Sequence, residues 1–546
     1  MDLLFAFVIA MVVTMALIPL LARVAGRLNV LDDPESRKVH SQPIPRVGGI
    51  AMVAATVLPL CLWLPMDRTV LAYLLAVTVL LVFGVWDDRV NLDALTKFSG
   101  QLIAVLIIIL VGHVSIDSMM LGERVPLPHW LGFGLTLLFL LGITNAINLS
   151  DGLDGLAGGT TLLCCAALAL LGANWDVRFV ETVGIVLMGA ILGFLRFNTH
   201  PARIFMGDAG SQFLGFSVGV LSILLTKQAA TPLSTALPLL LIGLPVLDTL
   251  TVMALRLHAG RSPFTADRNH IHHRLLDLGF DHYEVVTVIY SVQCLLLLLA
   301  WQLRYENDLL IVASFVGFAM LFTGGLMRLE RIGWRWRVAG TESYHSSPLA
   351  RIRAWLSAPE RFPRWSIRVV GLCAVVYLLG VALFAERVPR DLGWLSALCL
   401  LPLLLNGRWA RSAFGDTWLQ RIPLYVAVMV AVYLDQGTST HASVWHVVKF
   451  AFLPLLAISV VLAIRLSAQR RFEATPLDLL LIFGALTLPN LPGVADASSN
   501  FGLSAAKLVV LCYAVEMIAV LGSRVRDALL GAAWVFYVLI AVRALS

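Results

Sequence analysis

Long apolar runs separated by short polar segments recur along the whole chain, and they constrain its fold more than any other feature. An α-helix needs about 20 residues to cross the hydrocarbon core of a bilayer, close to the length of most of these runs. Of the 546 residues, 59% are hydrophobic and only 14% are charged, which excludes an ordinary soluble protein. We therefore expect an all-α polytopic integral membrane protein, because a helix satisfies its own backbone hydrogen bonds in lipid.

The runs predict eleven transmembrane helices in the first part of the chain and six or seven further helices after it. The eleven lie at about 3–22, 50–66, 70–86, 100–112, 130–147, 157–173, 180–195, 209–225, 233–255, 285–303 and 309–327. Loops after odd-numbered helices hold thirteen Lys and Arg residues, against five after even-numbered helices. Because cytoplasmic loops are enriched in Lys and Arg, the odd loops are predicted to be cytoplasmic and the N-terminus to lie outside.

The most unusual polar stretch lies between two apolar runs and holds two amides and two carboxylates: Asn145, Asn148, Asp151 and Asp154. An ionisable residue at membrane depth is costly, so it indicates function unless the stretch is only a polar connector between helices. Asp151 and Asp154 are each followed by glycine, which lets a ligand approach the backbone. Amide and acid groups together suit a nucleobase and ribose.

Three further carboxylates stand at predicted helix ends. Asp87 and Asp88 close the third helix, where the negative end of the helix dipole disfavours adjacent acids without a nearby cation. Asp208 stands at the entry to the eighth helix. The alternatives are a solvated helix end with Arg89 as partner and, for Asp208, a simple N-cap. Hard oxygen ligands without thiol or imidazole neighbours suit Mg²⁺, with Mn²⁺ as a second choice.

Basic and histidine-rich loops complete the set. Their candidate phosphate- and sugar-binding residues are Lys38, Arg46, Arg268, His270, His272 and His273. Protonatable His and Arg suit a diphosphate or a sugar. The alternatives for the histidines are a solvated loop and zinc, which would require a closed set of N and S ligands although no thiol is near. All five polar stretches, including Phe197-Asn198 to Asp208, fall in odd loops, so we predict one composite cytoplasmic site.

These motifs, in this order, resemble the polyprenyl-phosphate N-acetylhexosamine-1-phosphate transferases of glycosyltransferase family 4. The resemblance covers roughly residues 1–327. Its motifs are Asp32-Asp-Pro with Lys38-Val-His and Arg46-Val-Gly-Gly, Gly84-Val-Trp-Asp-Asp, Asn145 to Gly155, Phe197-Asn with Phe205-Met-Gly-Asp-Ala-Gly-Ser, and His270-Ile-His-His. The resemblance implies transfer of a sugar-1-phosphate from a UDP-sugar to undecaprenyl or another polyprenyl phosphate. UMP would be released, and cell-envelope polysaccharide synthesis would be initiated.

The resemblance also implies roles for individual residues. Asp208 would hold Mg²⁺, with Asp87 and Asp151 as further metal candidates, and Asp87 with Asp88 would be catalytic. The residues expected to bind substrate are Lys38, Arg46, Asn148, Asp151, Asp154, Asn198, Arg268, His270, His272 and His273.

This sequence departs from the family in two motifs. The family often has an acid three positions after the second Asp of Asp87-Asp88, a region where this chain has Asn91 and then Asp93. The muramoyl-pentapeptide branch typically has three consecutive histidines, whereas this chain has His-Ile-His-His. The difference favours a UDP-N-acetylhexosamine such as UDP-GlcNAc as donor.

Three other functions remain as alternatives. Phospho-N-acetylmuramoyl-pentapeptide transferase shares the motifs. A transporter or flippase would place ionisable groups near the bilayer midplane and paired broken helices in two related halves. An enzyme that joins an alcohol to a CDP-activated group would have Asp-Gly followed by Ala-Arg, and Asp151-Gly-Leu-Asp154-Gly-Leu lacks that Arg.

We expect three regions: a catalytic domain at 1–327, a basic interfacial linker at 328–366, and a further transmembrane region at 367–546. The expected location is the plasma (inner) membrane, and the expected partners are a UDP-sugar, a polyprenyl phosphate and the membrane. A homodimer is compatible with the sequence. Nucleic acid is not an expected partner, because the excess of six positive charges is explained by short basic loops without a nucleic-acid motif.

Overall fold

The structure is a computed structural model, and its described residues fall in seven ranges. These are 2–32, 43–262, 269–336, 361–385, 388–404, 418–435 and 523–545, with isolated positions between 456 and 518. The chain divides into two compact units, Met1–Ala339 and Gly340–Ser546. The domain boundaries expected at 327 and 366 stay predictions, and most of the expected linker lies outside the described residues.

The first unit consists of thirteen helices and two short hairpins within the described ranges. The helices are α1 (Asp2–Leu28), α2 (Gly48–Trp63), α3 (Arg68–Val90), α4 (Ala94–Leu110), α5 (His129–Ser150), α6 (Leu156–Asn174), α7 (Arg178–Asn198), α8 (Gly207–Gln228), α9 (Pro238–Leu241), α10 (Gly243–His258), α11 (Ile271–Asp277), α12 (His282–Leu303) and α13 (Asp308–Arg331). The antiparallel hairpins pair β1 (Leu31–Asp32) with β2 (Ile44–Pro45) and β3 (Ser118–Met120) with β4 (Arg124–Pro126). The predicted all-α polytopic class is confirmed.

Ten helices among the described residues are long and apolar enough to cross a membrane, and eight of them belong to the first unit. α2 and α4 are also apolar but shorter, with 16 and 17 residues. In the second unit the described helices are Arg361–Phe384, Arg390–Leu404, Trp418–Asp435 and Ser523–Leu545. The prediction of six or seven helices there falls partly outside the described residues.

The ninth predicted helix, at 233–255, differs from the expectation because it breaks at Ile242 into α9 and α10. Pro245 explains the break, since a proline ring clashes with the carbonyl four residues earlier, here that of Leu241. Gln293 of α12 compensates for the lost backbone bonds. Its amide nitrogen donates to Leu241 O at 2.8 Å, and its oxygen accepts from Leu244 N at 3.3 Å.

Helix α8 forms the centre of the first unit, and its membrane-spanning segment is entirely buried. Close contacts at small residues fix its N-terminal end. A Cβ on Gly49 of α2 would lie 2.2 Å from Gly210 N, and one on Gly84 of α3 would lie 2.4 Å from Ala209 Cα. Because both contacts are to backbone, α2 and α3 can approach α8 this closely only without side chains at these positions. Asp208 is thereby placed beside the end of α3.

Candidate active site

The carboxylates Asp87 and Asp208 converge on one lysine that the sequence analysis did not select. Lys97 Nζ lies 2.9 Å from Asp87 Oδ2 and 2.8 Å from Asp208 Oδ2. Its side chain is 25% exposed, so the ion pairs are open to water on one side. Lys97 lies in the first turn of α4, ten residues beyond Asp87, and has no sequence signal of this role, because the α3–α4 turn decides which way it points.

Asp88 is bound to the N-terminus of α8. Its side chain accepts hydrogen bonds from Asp208 N at 3.0 Å and Ala209 N at 3.3 Å, two amides that lack partners inside the helix. Gly207 has φ +68°, and a Cβ there would lie 2.4 Å from Asp88 Oδ2, so this contact requires glycine. The solvated helix end considered for Asp88 is wrong, because the side chain is buried.

Arg46 lies at the edge of this cluster. Its guanidinium pairs with Asp32, and Nη1 lies 3.9 Å from Asp88 Oδ1. Burial lowers the pKa of Arg46, but the hydrogen bond and charge of Asp32 outweigh it and raise that pKa overall. Arg46 therefore brings a permanent positive charge to the acidic cluster, whereas Lys38 lies outside the described residues.

Asn148 belongs to the same cluster. Its Nδ2 donates to Asp208 Oδ1 and, at 2.7 Å, to Ser211 Oγ. Asp208 does not cap α8, because the N-cap residue is Met206 and the first amides of the helix donate to Asp88. The simple N-cap alternative is therefore wrong for Asp208. Asn145 instead pairs with Gln101 of α4 through a 2.7 Å hydrogen bond, which ties α5 to α4.

Asp151 and Asp154 lie in the short loop between α5 and α6. Burial raises the pKa of Asp151 to about 7, and the nearby charges of Asp208, Asp154 and Asp88 add to the effect. Burial also acts to raise the pKa of Asp154, but hydrogen bonds from His200 and Ala202 N outweigh it and lower that pKa overall. The two acids therefore differ in charge near neutral pH, although only two residues separate them.

Asn198 is almost fully buried and bridges two loops. Its Oδ1 accepts from Gly155 N at 2.9 Å, and its Nδ2 donates to Ile204 O at 2.9 Å. These contacts give Asn198 a place in shaping the Asp151–Gly155 loop, and both of its polar groups are bound to protein.

The histidine motif begins α11, and a buried acid of α10 holds it in place. Asp248 Oδ2 lies 2.8 Å from His270 Nδ1, and Oδ1 accepts from Ile271 N at 2.7 Å. Asp248 was not predicted as a site residue, although a lone acid inside an apolar run is itself a signal. At the other end of α11, Arg274 forms two hydrogen bonds with Glu330, at 2.7 and 2.8 Å.

His272 lies against Gly152 of the α5–α6 loop. A Cβ on Gly152 would lie 2.4 Å from His272 Nε2, so this glycine leaves room for the ring. Burial lowers the pKa of His272 to about 3, and the neighbouring His273 adds to the effect. His272 is therefore a neutral ring near pH 7. His273 stacks against it at a tilt, with ring centroids 4.3 Å apart, and Arg268 lies outside the described residues.

The donor chemistry of the acidic cluster fits Mg²⁺. Asp87 and Asp208 offer carboxylate oxygens, Asn148 offers an amide oxygen, and no thiol or imidazole is among the contacts described for them. Mg²⁺ prefers such oxygens and uses one or two protein carboxylates together with phosphate oxygens. Lys97 supplies compensating charge in the same place. The expected metal role of Asp208 stays a prediction that this donor set supports.

Several proteins of a known family are similar in sequence to this chain. The profile of glycosyl transferase family 4 matches residues 70–226. A probable undecaprenyl-phosphate N-acetylglucosaminyl 1-phosphate transferase of Bacillus subtilis is 36% identical over 294 residues, which cover 53% of this chain and 81% of that protein. A decaprenyl-phosphate N-acetylglucosaminephosphotransferase of Mycolicibacterium smegmatis is 38% identical over 302 residues, covering 49% and 73%.

A more distant relative is the undecaprenyl-phosphate alpha-N-acetylglucosaminyl 1-phosphate transferase of Escherichia coli K12. It is 29% identical over 283 residues, which cover 50% of this chain and 76% of that protein. The matched profile spans α3 to α8 and therefore includes Asp87, Asp88, Lys97 and Asp208. The chain is a multi-pass membrane protein that belongs to glycosyl transferase family 4.

Proposed function

We propose that this protein transfers N-acetylhexosamine-1-phosphate, such as GlcNAc-1-phosphate, from a UDP-sugar to undecaprenyl or another polyprenyl phosphate and releases UMP. One observation carries the proposal: Lys97 joins Asp87 to Asp208, and Asn148 links Asp208 to the α5–α6 loop. A cationic and acidic centre thus adjoins a loop suited to a nucleotide. The relatives, which are named as transferases that use undecaprenyl or decaprenyl phosphate, support the same chemistry.

In the proposed reaction, an oxygen of the lipid phosphate attacks the phosphorus that carries the sugar. The bond from that phosphorus to the UMP oxygen breaks, and UMP leaves with the electron pair. Bringing two anionic phosphates together requires positive charge, which Lys97 and Arg46 supply. Mg²⁺ held by Asp208, with Asp87 and Asp151 as further ligands, would neutralise charge on the diphosphate.

The two adjacent acids take different parts in this proposal. Asp88 holds the N-terminus of α8 and so acts as a positioning residue for Asp208. Asp87 is buried, accepts from Leu92 N at 2.7 Å and pairs with Lys97 at 2.9 Å, so in this proposal it holds the ammonium group that meets the lipid phosphate. The neutral ring of His272 beside Gly152 forms the wall of the nucleotide side.

We place the site at the cytoplasmic face, with the N-terminus outside. The support is the excess of Lys and Arg in the odd-numbered loops, thirteen against five, and the grouping of Asp32, Asp87, Asp154 and His272 at the same end of the first unit. The break between α9 and α10 leaves the parity unchanged if the two helices together cross once.

The proposal is tested by supplying purified full-length protein with undecaprenyl phosphate, Mg²⁺ and a panel of UDP-sugars. We expect UMP release and a lipid diphosphate sugar with UDP-GlcNAc or another UDP-N-acetylhexosamine, and loss of both in Asp208→Asn. The panel includes UDP-N-acetylmuramoyl-pentapeptide, so turnover with that donor alone would favour the muramoyl-pentapeptide alternative. Absence of UMP release with every donor, from protein that remains folded, would refute the transferase.

A further inference from the structure

A second group of polar side chains lies beside the acidic cluster and has a different chemical character. Asp154 comes from the α5–α6 loop, His200 from the segment after α7, and His282 is the first residue of α12. All three are partly exposed, and their metal-ligating atoms lie within 4.8 Å of one another. Neither histidine was selected from the sequence, because no short spacing joins three residues that are 46 and 82 positions apart.

The arrangement concentrates donor atoms in a small volume. His200 Nδ1 lies 2.7 Å from Asp154 Oδ2, and His282 Nε2 lies 3.1 Å from the Asp154 carbonyl oxygen. The two imidazoles are stacked, with centroids 4.0 Å apart and planes 21° from parallel. One carboxylate, two imidazoles and one backbone carbonyl therefore face the same space.

These distances can be compared with those of a bound transition metal. Zinc binds His nitrogen and carboxylate oxygen at about 2.0–2.2 Å, so two donors of a tetrahedral site are about 3.3 Å apart. The Asp154–His200 contact would open by roughly 0.6 Å, and the remaining separations would close by less than about 1.5 Å. Side-chain rotation can supply shifts of that size. Two histidines and one carboxylate suit zinc and related ions better than Mg²⁺.

Neighbouring groups hold these donors in place. Ala202 N donates to Asp154 Oδ2 at 3.0 Å, which orients the carboxylate. The Tyr283 hydroxyl donates to the carbonyl oxygen of His200 at 3.0 Å, which fixes the segment after α7 against α12. Outer contacts of this kind orient ligands in metal sites. Partial exposure leaves a path for an ion and a position for a water ligand.

We propose that Asp154, His200 and His282 form a binding site for a transition metal ion of the zinc type. The site is separate from the carboxylates Asp87 and Asp208 that are suited to Mg²⁺. An ion there fastens the α5–α6 loop, the segment after α7 and the start of α12 to one another. It thereby fixes the position of Asp154 within the α5–α6 loop.

The test measures ion binding, so its result is independent of transferase activity. Purified full-length protein is stripped with a chelator, and Zn²⁺ alone is titrated in competition with a chromophoric zinc chelator. We expect one high-affinity zinc per chain, a rise in Tm on binding, and a Co²⁺ derivative with the visible absorption of a four-coordinate site. His200→Ala and His282→Ala should each weaken zinc binding by at least about tenfold, and the Co²⁺ spectrum should be lost.

Two histidines provide matched controls. His129→Ala removes an exposed histidine at the opposite end of α5 and should leave zinc affinity unchanged. His273→Ala tests whether the His-Ile-His-His motif binds the ion instead. Should His200→Ala or His282→Ala fail to fold, the glutamine variant at the same position replaces it, since glutamine keeps a polar side chain of similar length. Less than one zinc per chain, or unchanged zinc affinity in the variants of both His200 and His282, would overturn the proposal. Asp154, His200 and His282 would then be a hydrogen-bonded group without a metal.

Discussion

Gly152→Ala tests whether the contact between the α5–α6 loop and His272 matters for turnover. The added Cβ would lie 2.4 Å from His272 Nε2, whereas ordinary contacts begin at 3.4 Å, so ring and loop must separate by about 1 Å. His272 is only 3% exposed and cannot simply swing into solvent. A misplacement of about 1 Å near a reacting centre can lower turnover roughly 100-fold. We therefore expect kcat for UMP release to fall by about that factor.

The fold should tolerate this change, because Gly152 is exposed and its backbone is outside the left-handed region. Gly142→Ala in the same helix–loop region is the matched control, since a Cβ there meets nothing within 4 Å. The assay is steady-state UMP release, with Tm measured on the same preparations. In a His272→Ala background, Gly152→Ala should have little further effect. A full 100-fold loss in that background, or wild-type kcat in Gly152→Ala alone, would refute the reasoning.

Three further changes probe the surrounding contacts. Lys97→Met removes the cation between two carboxylates, so UMP release should fall at least about tenfold and Tm should drop. The difference in Tm from the wild-type protein should shrink as Mg²⁺ is added, because the ion replaces the lost positive charge. Asp248→Ala leaves His270 and the Ile271 N–H without an acceptor at a cost of about 1–3 kcal/mol each, and Asp248→Asn, which keeps one acceptor, should lower Tm less. The pKa of His272, about 3 against an ordinary 6.5, means that the folded state binds fewer protons than the unfolded state. Stability is therefore lost as pH falls below 6.5, and His272→Asn should flatten the decline of Tm between about pH 7 and 5.

The helices could be predicted from the sequence because length and apolarity decide membrane spans with little help from tertiary contacts. The eleven predicted segments of the first unit are helical, with one interrupted at Ile242. The interruption could have been predicted from the sequence, since Pro238, Gly243 and Pro245 all lie in the predicted span. The hydrogen bond from Gln293 to Leu241, about fifty residues earlier, could not be predicted, because it depends on how α12 packs.

In the candidate site, too, some residues could be predicted from the sequence and their contacts could not. Asp87, Asp88 and Asp208 stand out in the sequence as carboxylates at predicted helix ends, and they do lie together. Their partners could not be predicted, because contacts such as the one between Asp88 and the α8 N-terminus join residues about 120 positions apart. Asn198 was selected as a substrate ligand, yet its polar groups are bound to neighbouring loops.

The burial of α8 has a consequence for biosynthesis. Of the ten candidate spans among the described residues, α8 has the lowest mean hydropathy, 1.5, and its segment faces protein on all sides. A helix of this kind gains little from contact with lipid and is stabilised by neighbouring helices. The helices that pack most extensively against it, α2, α3, α5 and α6, all precede it in the chain. When α8 leaves the ribosome, the helices that receive it have already been synthesised, so the acidic cluster is complete only once α8 has joined them.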